Sequence, residues 1–454
     1  MSQHQFLRSS NPTWYWQTSR MNVVFFGIVL IAFGTAAWRQ LTWIPVAGMD
    51  SPMERLTRAM VDSAAGAVEL ALGLVGVMTL FLGLMKVAEA GGLLRVIARL
   101  LRPLMVRLFP DVPPEHPAMG AMILNLSANV MGLGNAATPF GIRAMQELNT
   151  LNPHPGTATN AMVLFLAINT ASVTLLPTGV IALRASAGSA DPAGILPTTL
   201  FASIVATISA IFVTRVLRDL FPVRVAHEPA TAEDGMQDAP AVVTDQAAAP
   251  EAAGEGYPLW VSFLALGAVV AVIPLTIFYG RAISPWIIPG LMLGFLTFGL
   301  VRGVRVYEVL VDGAREGFQV AVRIIPYLVA ILVAIGMFRA SGAMEIMVKG
   351  MGGWTNLLGL PPEGLTLAIL RSLSGSGAFA VLASFIKDPA IGPDSYTGYL
   401  VSTIQGSSET TFYVIAVYFG AVQIKRIRHA LAAGIIADLV AVIASVVICK
   451  LLHG

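Results

Sequence analysis

The sequence predicts an all-α, polytopic membrane protein built from two related units in inverted orientation, each containing broken helices or re-entrant hairpins. Three observations carry this. Only 12% of the 454 residues are charged and 56% are hydrophobic, whereas a soluble domain has about 25% charged and 45–50% apolar residues. Apolar runs of membrane-spanning length recur along the chain. A series of short motifs also occurs twice in the same order. So little charge cannot cover a water-facing surface of this size, which excludes a soluble globular enzyme. The formal net charge of +2 and the lack of a basic, aromatic-interleaved patch give no footing for nucleic acid. The single cysteine, Cys449, excludes an internal disulfide and any multi-cysteine metal site. The 43 glycines and 27 prolines are many for a helical protein, and in membranes they mark close helix packing and broken helices.

At about 20 mostly apolar residues per crossing, spans fall at 23–38, 66–89, 160–183, 195–217, 259–279, 285–301, 317–338, 397–422 and 430–451. Small residues near Gly34–Ala37 resemble a cleavage site. The long polar leader 1–22, with Arg8 and Arg20, favours an uncleaved first span instead. Two stretches, 117–148 and 364–388, are apolar but interrupted, and are expected to be broken helices or re-entrant hairpins. Basic clusters stand at Arg95–Arg107, Arg215–Arg224, Arg302–Arg315 and Lys425–Arg428. All are cytoplasmic, as the positive-inside rule asks, if the N-terminus is inside and each interrupted stretch returns to its starting side. The loop 39–65, with Arg39, Arg55 and Arg58, then lies outside against the rule. Leu93–Phe109 has the pattern of an interfacial amphipathic helix. Residues 225–256 carry Glu228, Glu233, Asp234, Asp238, Asp245, Glu251 and Glu255 and no Lys or Arg. Such a stretch is expected to be a disordered cytoplasmic linker between a unit at 1–224 and a unit at 257–454.

The two units repeat. Asp62, Gly66 and Gly91 frame one span, and Asp312, Gly317 and Gly342 frame another. Pro113-Pro114-Glu115 precedes the first interrupted stretch as Pro361-Pro362-Glu363 precedes the second. Asn169, Ser172 and Thr174 then parallel Gln405, Ser408 and Thr410. With the extra span 259–279 between them, the two glycine-framed spans run in opposite directions. That is the inverted repeat of many secondary transporters. Gly66, Gly73, Gly76 and Gly83 form a small-residue stripe expected to be a packing seam.

The candidate chemistry lies in the interruptions. Asn125, Asn129 and Gly132 share one helix face, with Ser127 between them and Asn135 just beyond. Gly132 and Gly134 break the helix, and Thr138-Pro139 is expected to start the next one as N-cap and first residue. Non-helical backbone survives at membrane depth only where it is buried or lines a cavity. Carboxamides beside open N–H groups therefore make a polar ligand site, or else a glycine-rich kink with asparagines bonding helices together. In the second unit Arg371–Ala378 carries Ser374 and Ser376 at the break, with Ser376 as the expected cap. Gln405, Ser408, Glu409 and Thr410 form the densest polar group inside an apolar run, the first three expected as i, i+3, i+4 neighbours. An ionised Glu near the midplane costs at least about 2.5–3.5 kcal/mol, which marks Glu409 as a substrate ligand or a carrier of a coupling ion or proton. Asn169 and Ser172 are its first-unit counterparts, and Asp438 in the last span is a second coupling candidate.

His116–Pro139, with Asn125-Leu-Ser-Ala-Asn-Val-Met-Gly-Leu-Gly-Asn-Ala-Ala-Thr-Pro139, resembles the signature of spore maturation protein A. Gln405-Gly-Ser-Ser-Glu-Thr-Thr-Phe-Tyr-Val414, followed by the basic Lys425–Arg428, resembles spore maturation protein B. Both families resemble the gate, or nucleoside-recognition, domain also found in ferrous-iron transporters, whose GTPase part this chain lacks. The resemblance implies two gate-domain units in a bacterial inner membrane. Gate domains are similar in outline to concentrative nucleoside transporters, where a Gln-Ser/Thr-Glu motif lines the substrate site. Gln405, Ser408 and Glu409 resemble that motif with extra residues between. The implied activity is transport of a small polar solute, nucleosides included, by alternating access, without cofactor or metal. A homo-oligomer is left open, and the alternative is a non-transporting scaffold of the cell envelope. No H-E-x-x-H, G-x-S-x-G or paired-aspartate pattern supports an enzyme.

Overall fold

The computed structural model describes residues 13–45, 48–132, 134–221, 256–346, 350 and 359–454; the expected linker 225–256, apart from Gly256, lies outside them. The first unit comprises α1 (Thr13–Leu41), α2 (Pro52–Ala90), α3 (Leu93–Leu108), α4 (Pro117–Val130), α5 (Gly134–Thr150), α6 (Asn160–Thr170), α7 (Thr178–Ser186), a short 3-10 turn (Pro192–Ile195) and α8 (Leu196–Leu217). After α9 (Leu259–Val301) the second unit comprises α10 (Val306–Ala340), α11 (Pro362–Leu373), α12 (Gly375–Lys387), α13 (Tyr396–Ser407), α14 (Thr411–Gly420) and α15 (Ala430–His453). The series α2, α4–α8 recurs as α10–α15.

Among the described residues, three helical stretches, Pro52–Ala90, Pro192–Leu217 and Ala430–His453, are long and apolar enough to cross a membrane. α2 starts at Pro52 because Ser51 and Glu54 form a capping box around it. The expected loop 39–65 therefore shrinks to residues 42–51, and Arg58 pairs with Asp50 at 2.7 Å. α2 and α10 pack antiparallel: Gly83 approaches the Leu310 carbonyl, Gly317 approaches Thr79, and Gly336 lies against Ser63 and Ala59. The two units are thus inverted, as predicted. Of the expected glycine seam, only Gly83 meets α10; Gly66 and Gly76 face open space. The left-handed glycines after the paired helices are Gly92 (φ 86°) and Gly342 (φ 81°). The repeat therefore aligns Gly92, not Gly91, with Gly342, keeping Asp62 opposite Asp312.

A straight α9 of 43 residues would measure about 64 Å. Its two ends nevertheless lie on one patch. The Tyr257 N–H donates to the Arg99 carbonyl at 3.2 Å, while the Phe298 ring borders Gly91. Arg99 and Gly91 are eight residues apart, at most about 29 Å. α9 also touches the 3-10 turn at the far end of α8. The chain therefore doubles back within α9, between the apolar segments Leu259–Leu275 and Trp286–Val301.

The interrupted stretches are re-entrant. α4 and α5 pack together, and the Thr150 hydroxyl returns to within 3.5 Å of the His116 ring. At 14 and 17 residues they reach about 21 and 26 Å, short of the roughly 30 Å hydrocarbon core. α11 and α12, at 12 and 13 residues, are shorter still. Two expected spans are broken as well. 160–183 divides into α6 and α7 around residues 171–177, and 397–422 divides into α13 and α14 around residues 408–410.

Two cores flank these breaks. One gathers Phe109, Met119, Met122, Phe165, Tyr418 and Phe419; the other Leu74, Ile181, Leu367, Phe385, Leu400 and Ile404. Each hairpin thus shares its core with a half-helix of the other unit: α14 packs with α4–α6, and α7 with α11–α13.

The connecting loops repeat this exchange at both ends. Asn152 Oδ1 accepts the His154 N–H at 2.9 Å, and Asp388 Oδ1 accepts that of Ala390 at 2.9 Å. Gly156 (φ 77°) and Gly392 (φ 67°) follow, and Thr159 and Ser395 cap α6 and α13. At one end the Lys425 and Arg426 N–H groups bond the Gly156 carbonyl, and Arg428 grips the Ala158 carbonyl, Asn160 Oδ1 and the Phe221 carbonyl. At the other end Arg184 grips the Pro393 carbonyl and Asp394.

His429 is buried beside Arg428 and the Phe221 ring, just ahead of α15. Burial first, then the Arg428 charge, push its pKa from 6.5 down to about 4. The fold holds the neutral ring and the unfolded chain takes up the proton more readily. Stability is therefore full above about pH 6.5 and declines as pH falls towards 4. Melting temperatures in detergent at pH 7 and pH 5 are expected to show this loss, and His429→Gln is expected to flatten it.

Candidate functional site

The two breaks meet at the centre. The Glu409 N–H donates to the Thr170 carbonyl at 2.8 Å, joining the break of the second unit to the end of α6. Each hairpin tip supports the break of its own unit. The Leu175 N–H donates to the Val130 carbonyl at 2.9 Å. Gly132 (φ 76°) lies so close to the Leu176 carbonyl that no side chain fits there. In the second unit Gly375 faces Thr410 Oγ1 and the Arg371 guanidinium.

The structure links three expected asparagines through a residue that the sequence did not reveal. Asn125 Nδ2 donates to the Ala137 carbonyl (2.8 Å) and to Tyr418 Oη (3.1 Å), and Asn129 Nδ2 donates to Asn169 Oδ1 (2.8 Å). The Tyr418 hydroxyl in turn donates to Asn169 Oδ1 at 3.4 Å. Tyr418 reaches them across Gly141, whose missing side chain leaves the room. Tyr418→Phe leaves Asn125 and Asn169 short of a partner. It is expected to cost about 1–3 kcal/mol, read as a lowered unfolding midpoint. Ser127 turns back to the Ile123 carbonyl at 2.7 Å, and Ser172 is buried in the break itself. The Asn135 side chain lies outside the described residues.

The helix after the first break starts at Gly134, not at the expected Thr138 cap. The proline at 139 removes one N–H from the second turn of α5, and Asn125 holds that turn from the side through the Ala137 carbonyl. At the second break the cap is Ser374, not Ser376. Ser374 is extended (φ −155°, ψ 113°) and its hydroxyl accepts the Gly377 N–H at 3.1 Å, while Ser376 sits inside α12 and is exposed.

Gln405, Ser408 and Glu409 do not share a helix face. α13 ends at Ser407, Ser408 is extended (φ −144°, ψ 166°), and only Gln405 remains helical. The break is held by Arg371, the other residue that the sequence reading passed over as a partner. Arg371 Nη1 donates to Thr410 Oγ1 (3.2 Å), and Nη2 donates to the Ser408 carbonyl and to Glu409 Oε2 (3.4 Å). Arg371 is 7% exposed, whereas the Glu409 side chain keeps 42% of its surface. An ionisable residue amid apolar sequence asks for a partner, and that signal could have paired Arg371 with Glu409. Asp438 stands beside them. Its Oδ2 accepts the Ser372 hydroxyl at 2.6 Å and the Thr411 hydroxyl at 2.8 Å.

Among the described residues, five of the nine buried side-chain atoms without a protein hydrogen-bond partner lie on or beside the broken helices: Asn125 Oδ1, Arg371 Nε, Gln405 Oε1, Asp438 Oδ1, and Thr199 Oγ1 on α8, whose methyl and hydroxyl border Gly406. Native interiors hold few such atoms, and a cluster of them calls for an explanation. No group of three or more metal-ligating side chains occurs among the described residues.

A family model described as Gate, nucleoside recognition, matches residues 71–187 and 321–425, one segment in each unit. The chain is 42% identical over 180 residues to spore maturation protein A of Bacillus subtilis (strain 168), covering 39% of this chain and 92% of that protein. It is 44% identical over 167 residues to spore maturation protein B of the same organism, covering 37% and 93%. A crystal structure of the Alcanivorax borkumensis YdaH transporter aligns with 94% of this chain and 97% of its own, at 16% identity and a TM-score of 0.34. With more than nine-tenths of each spore maturation protein covered at over 40% identity, the chain belongs to the spore maturation protein A and B family of gate-domain membrane proteins.

Proposed function

We propose that the protein is a secondary transporter or gated permease for a small polar solute, nucleoside-like solutes included, working by alternating access. The carrying observation is the convergence of two inverted broken helices on a centre rich in buried, unpartnered polar atoms. Hydrocarbon cannot satisfy such groups, and transporters of inverted-repeat design place substrate at breaks of this kind. In this reading Asn125, Ser127, Asn129, Asn169 and Ser172 face the solute from one unit. Ser374, Ser376, Gln405, Ser408, Glu409 and Thr410 face it from the other. The Arg184 and Arg428 contacts close the two ends, and rocking one unit against the other opens them in turn. Units 1–224 and 257–454 are tethered by a cytoplasmic linker, and the N-terminus lies on the same side of a bacterial inner membrane. The chemistry is binding and conformational change, with no covalent step.

A second reading, a non-transporting membrane scaffold, is favoured by one observation: Asn125, Asn129, Asn169 and Tyr418 satisfy much of one another's capacity. Purified protein in liposomes, offered a panel of nucleosides, amino acids and sugars with and without Na⁺ or pH gradients, separates the two. Saturable uptake of one solute class supports the transporter. No binding or uptake across the panel sinks it.

A further inference from the structure

Three charged side chains meet at the crossing of the breaks, and they do not balance. Arg371 supplies one positive charge and directs its guanidinium to Glu409, Thr410 and the Ser408 carbonyl. Asp438 receives only two neutral donors, the hydroxyls of Ser372 and Thr411, both on Oδ2; its Oδ1 is buried with no protein partner. Arg371 reaches it only through space. The other elements packed on α15 bring no further positive charge to it. α6 carries no charged side chain, α13 carries Tyr396 and Tyr399, α14 carries Tyr413 and Tyr418, and Arg215 of α8 lies near that helix's end. Glu409, two residues before Thr411, adds a second negative charge. A carboxylate in this setting lacks compensation for one full charge, and burying such a group uncompensated is expensive.

We propose that Asp438, with the hydroxyls of Ser372 and Thr411, is the site of an exchangeable proton that balances this charge and couples to movement of the breaks. The site deepens the transport reading and rests on it for the coupling, not for the proton. Ser372 ends α11 at a hairpin tip, Thr411 opens α14 at the crossing, and Asp438 stands on the last helix. One carboxyl group therefore ties together three elements of the second unit around its break, the segment that contacts the first unit at the Thr170 carbonyl. Loading and releasing a proton changes how strongly Oδ2 holds the two hydroxyls. One carboxyl group and two hydroxyls are few ligands for a dehydrated sodium ion and sufficient for a proton.

The test uses the full-length protein in liposomes and needs no solute. Infrared difference spectra taken through a pH titration, in H2O and in D2O, report a buried carboxylic acid by its C=O band and deuterium shift. Wild type is expected to show such a band at the acid end of the titration and to lose it towards the alkaline end. Asp438→Asn is expected to lose it, Glu409→Gln to keep it, and Ser372→Ala, which retains the carboxyl but removes one donor, to move it. A band absent in wild type, or unchanged in both Asp438→Asn and Ser372→Ala, overturns the proposal. Sodium chloride in place of choline chloride is expected to leave the wild-type band alone; its loss in sodium assigns the site to Na⁺ and overturns the proton. Proton occupancy is read without uptake, so failure here leaves the transport reading standing, and a failed solute panel leaves this result intact.

Discussion

Asp394→Ala is expected to destabilise the protein more than Arg184→Ala, although the two residues form one ion pair at 3.0 Å. Arg184 has no exposed side-chain surface, while Asp394 retains 38%. Removing Asp394 leaves a buried guanidinium with only Asp191 as a nearby carboxylate, approaching the situation that costs about 3–5 kcal/mol. Removing Arg184 leaves a carboxylate that water reaches and that still accepts the Ala190 N–H at 2.7 Å, so that loss falls at about 3 kcal/mol or below once solvent screening is counted. The guanidinium keeps other partners in either unit: the Ser189 hydroxyl, the Asp191 carbonyl, Ser402 Oγ and the face of the Tyr399 ring at 4.2 Å. These hold it in place when Asp394 is gone, and so keep the charge inside with its direct ion-pair partner missing. Chemical unfolding in detergent, compared for the two single variants and the double variant, measures the order. Equal losses would mean that the exposed carboxylate is as dependent on the pair as the buried cation.

The sequence made the local features legible and left the tertiary ones hidden. Apolar runs and the glycines at 132 and 134 located the first hairpin, because a helix break at membrane depth must be written in the residues that form it. The matched Pro-Pro-Glu and Asn/Gln–Ser–Thr motifs revealed the repeat, because both units solve the same folding problem. The break at 408–410 was not visible as a break. Ser408, Glu409 and Thr410 carry no glycine or proline, and they leave the helix because the Glu409 N–H pairs with the Thr170 carbonyl of the other unit. A partner 239 positions away in the chain leaves no local trace. Tyr418 was hidden for a similar reason: only the folded chain brings it over Gly141 to Asn125. The Ser374 cap was misplaced by two residues because both serines flank a glycine, and only backbone angles separate them.

Glu409→Gln is expected to reduce solute uptake by about ten- to a hundredfold while leaving the fold intact. The loss corresponds to one hydrogen bond to a charged acceptor, about 1.5–3 kcal/mol. The fold survives because the crossing depends on the Glu409 main-chain N–H, which glutamine keeps. Its carboxylate is a minor structural partner: the contact with Arg371 is long at 3.4 Å and the side chain is 42% exposed, so its share of stability is at most about 1 kcal/mol. Arg371 behaves differently. It anchors Thr410 Oγ1 and the Ser408 carbonyl, both on the extended segment. Arg371→Ala therefore releases the break and is expected to lower melting temperature and uptake together. Arg371→Lys keeps the charge but not the fork that reaches three acceptors, so it falls between. Initial uptake rates and melting temperatures from the same preparations decide the matter. Wild-type uptake by Glu409→Gln removes this carboxylate from the mechanism. A melting temperature as low as that of Arg371→Ala makes it a structural hub, and the solute-facing role then passes to Gln405 and Asn125, whose amide oxygens are buried acceptors without partners.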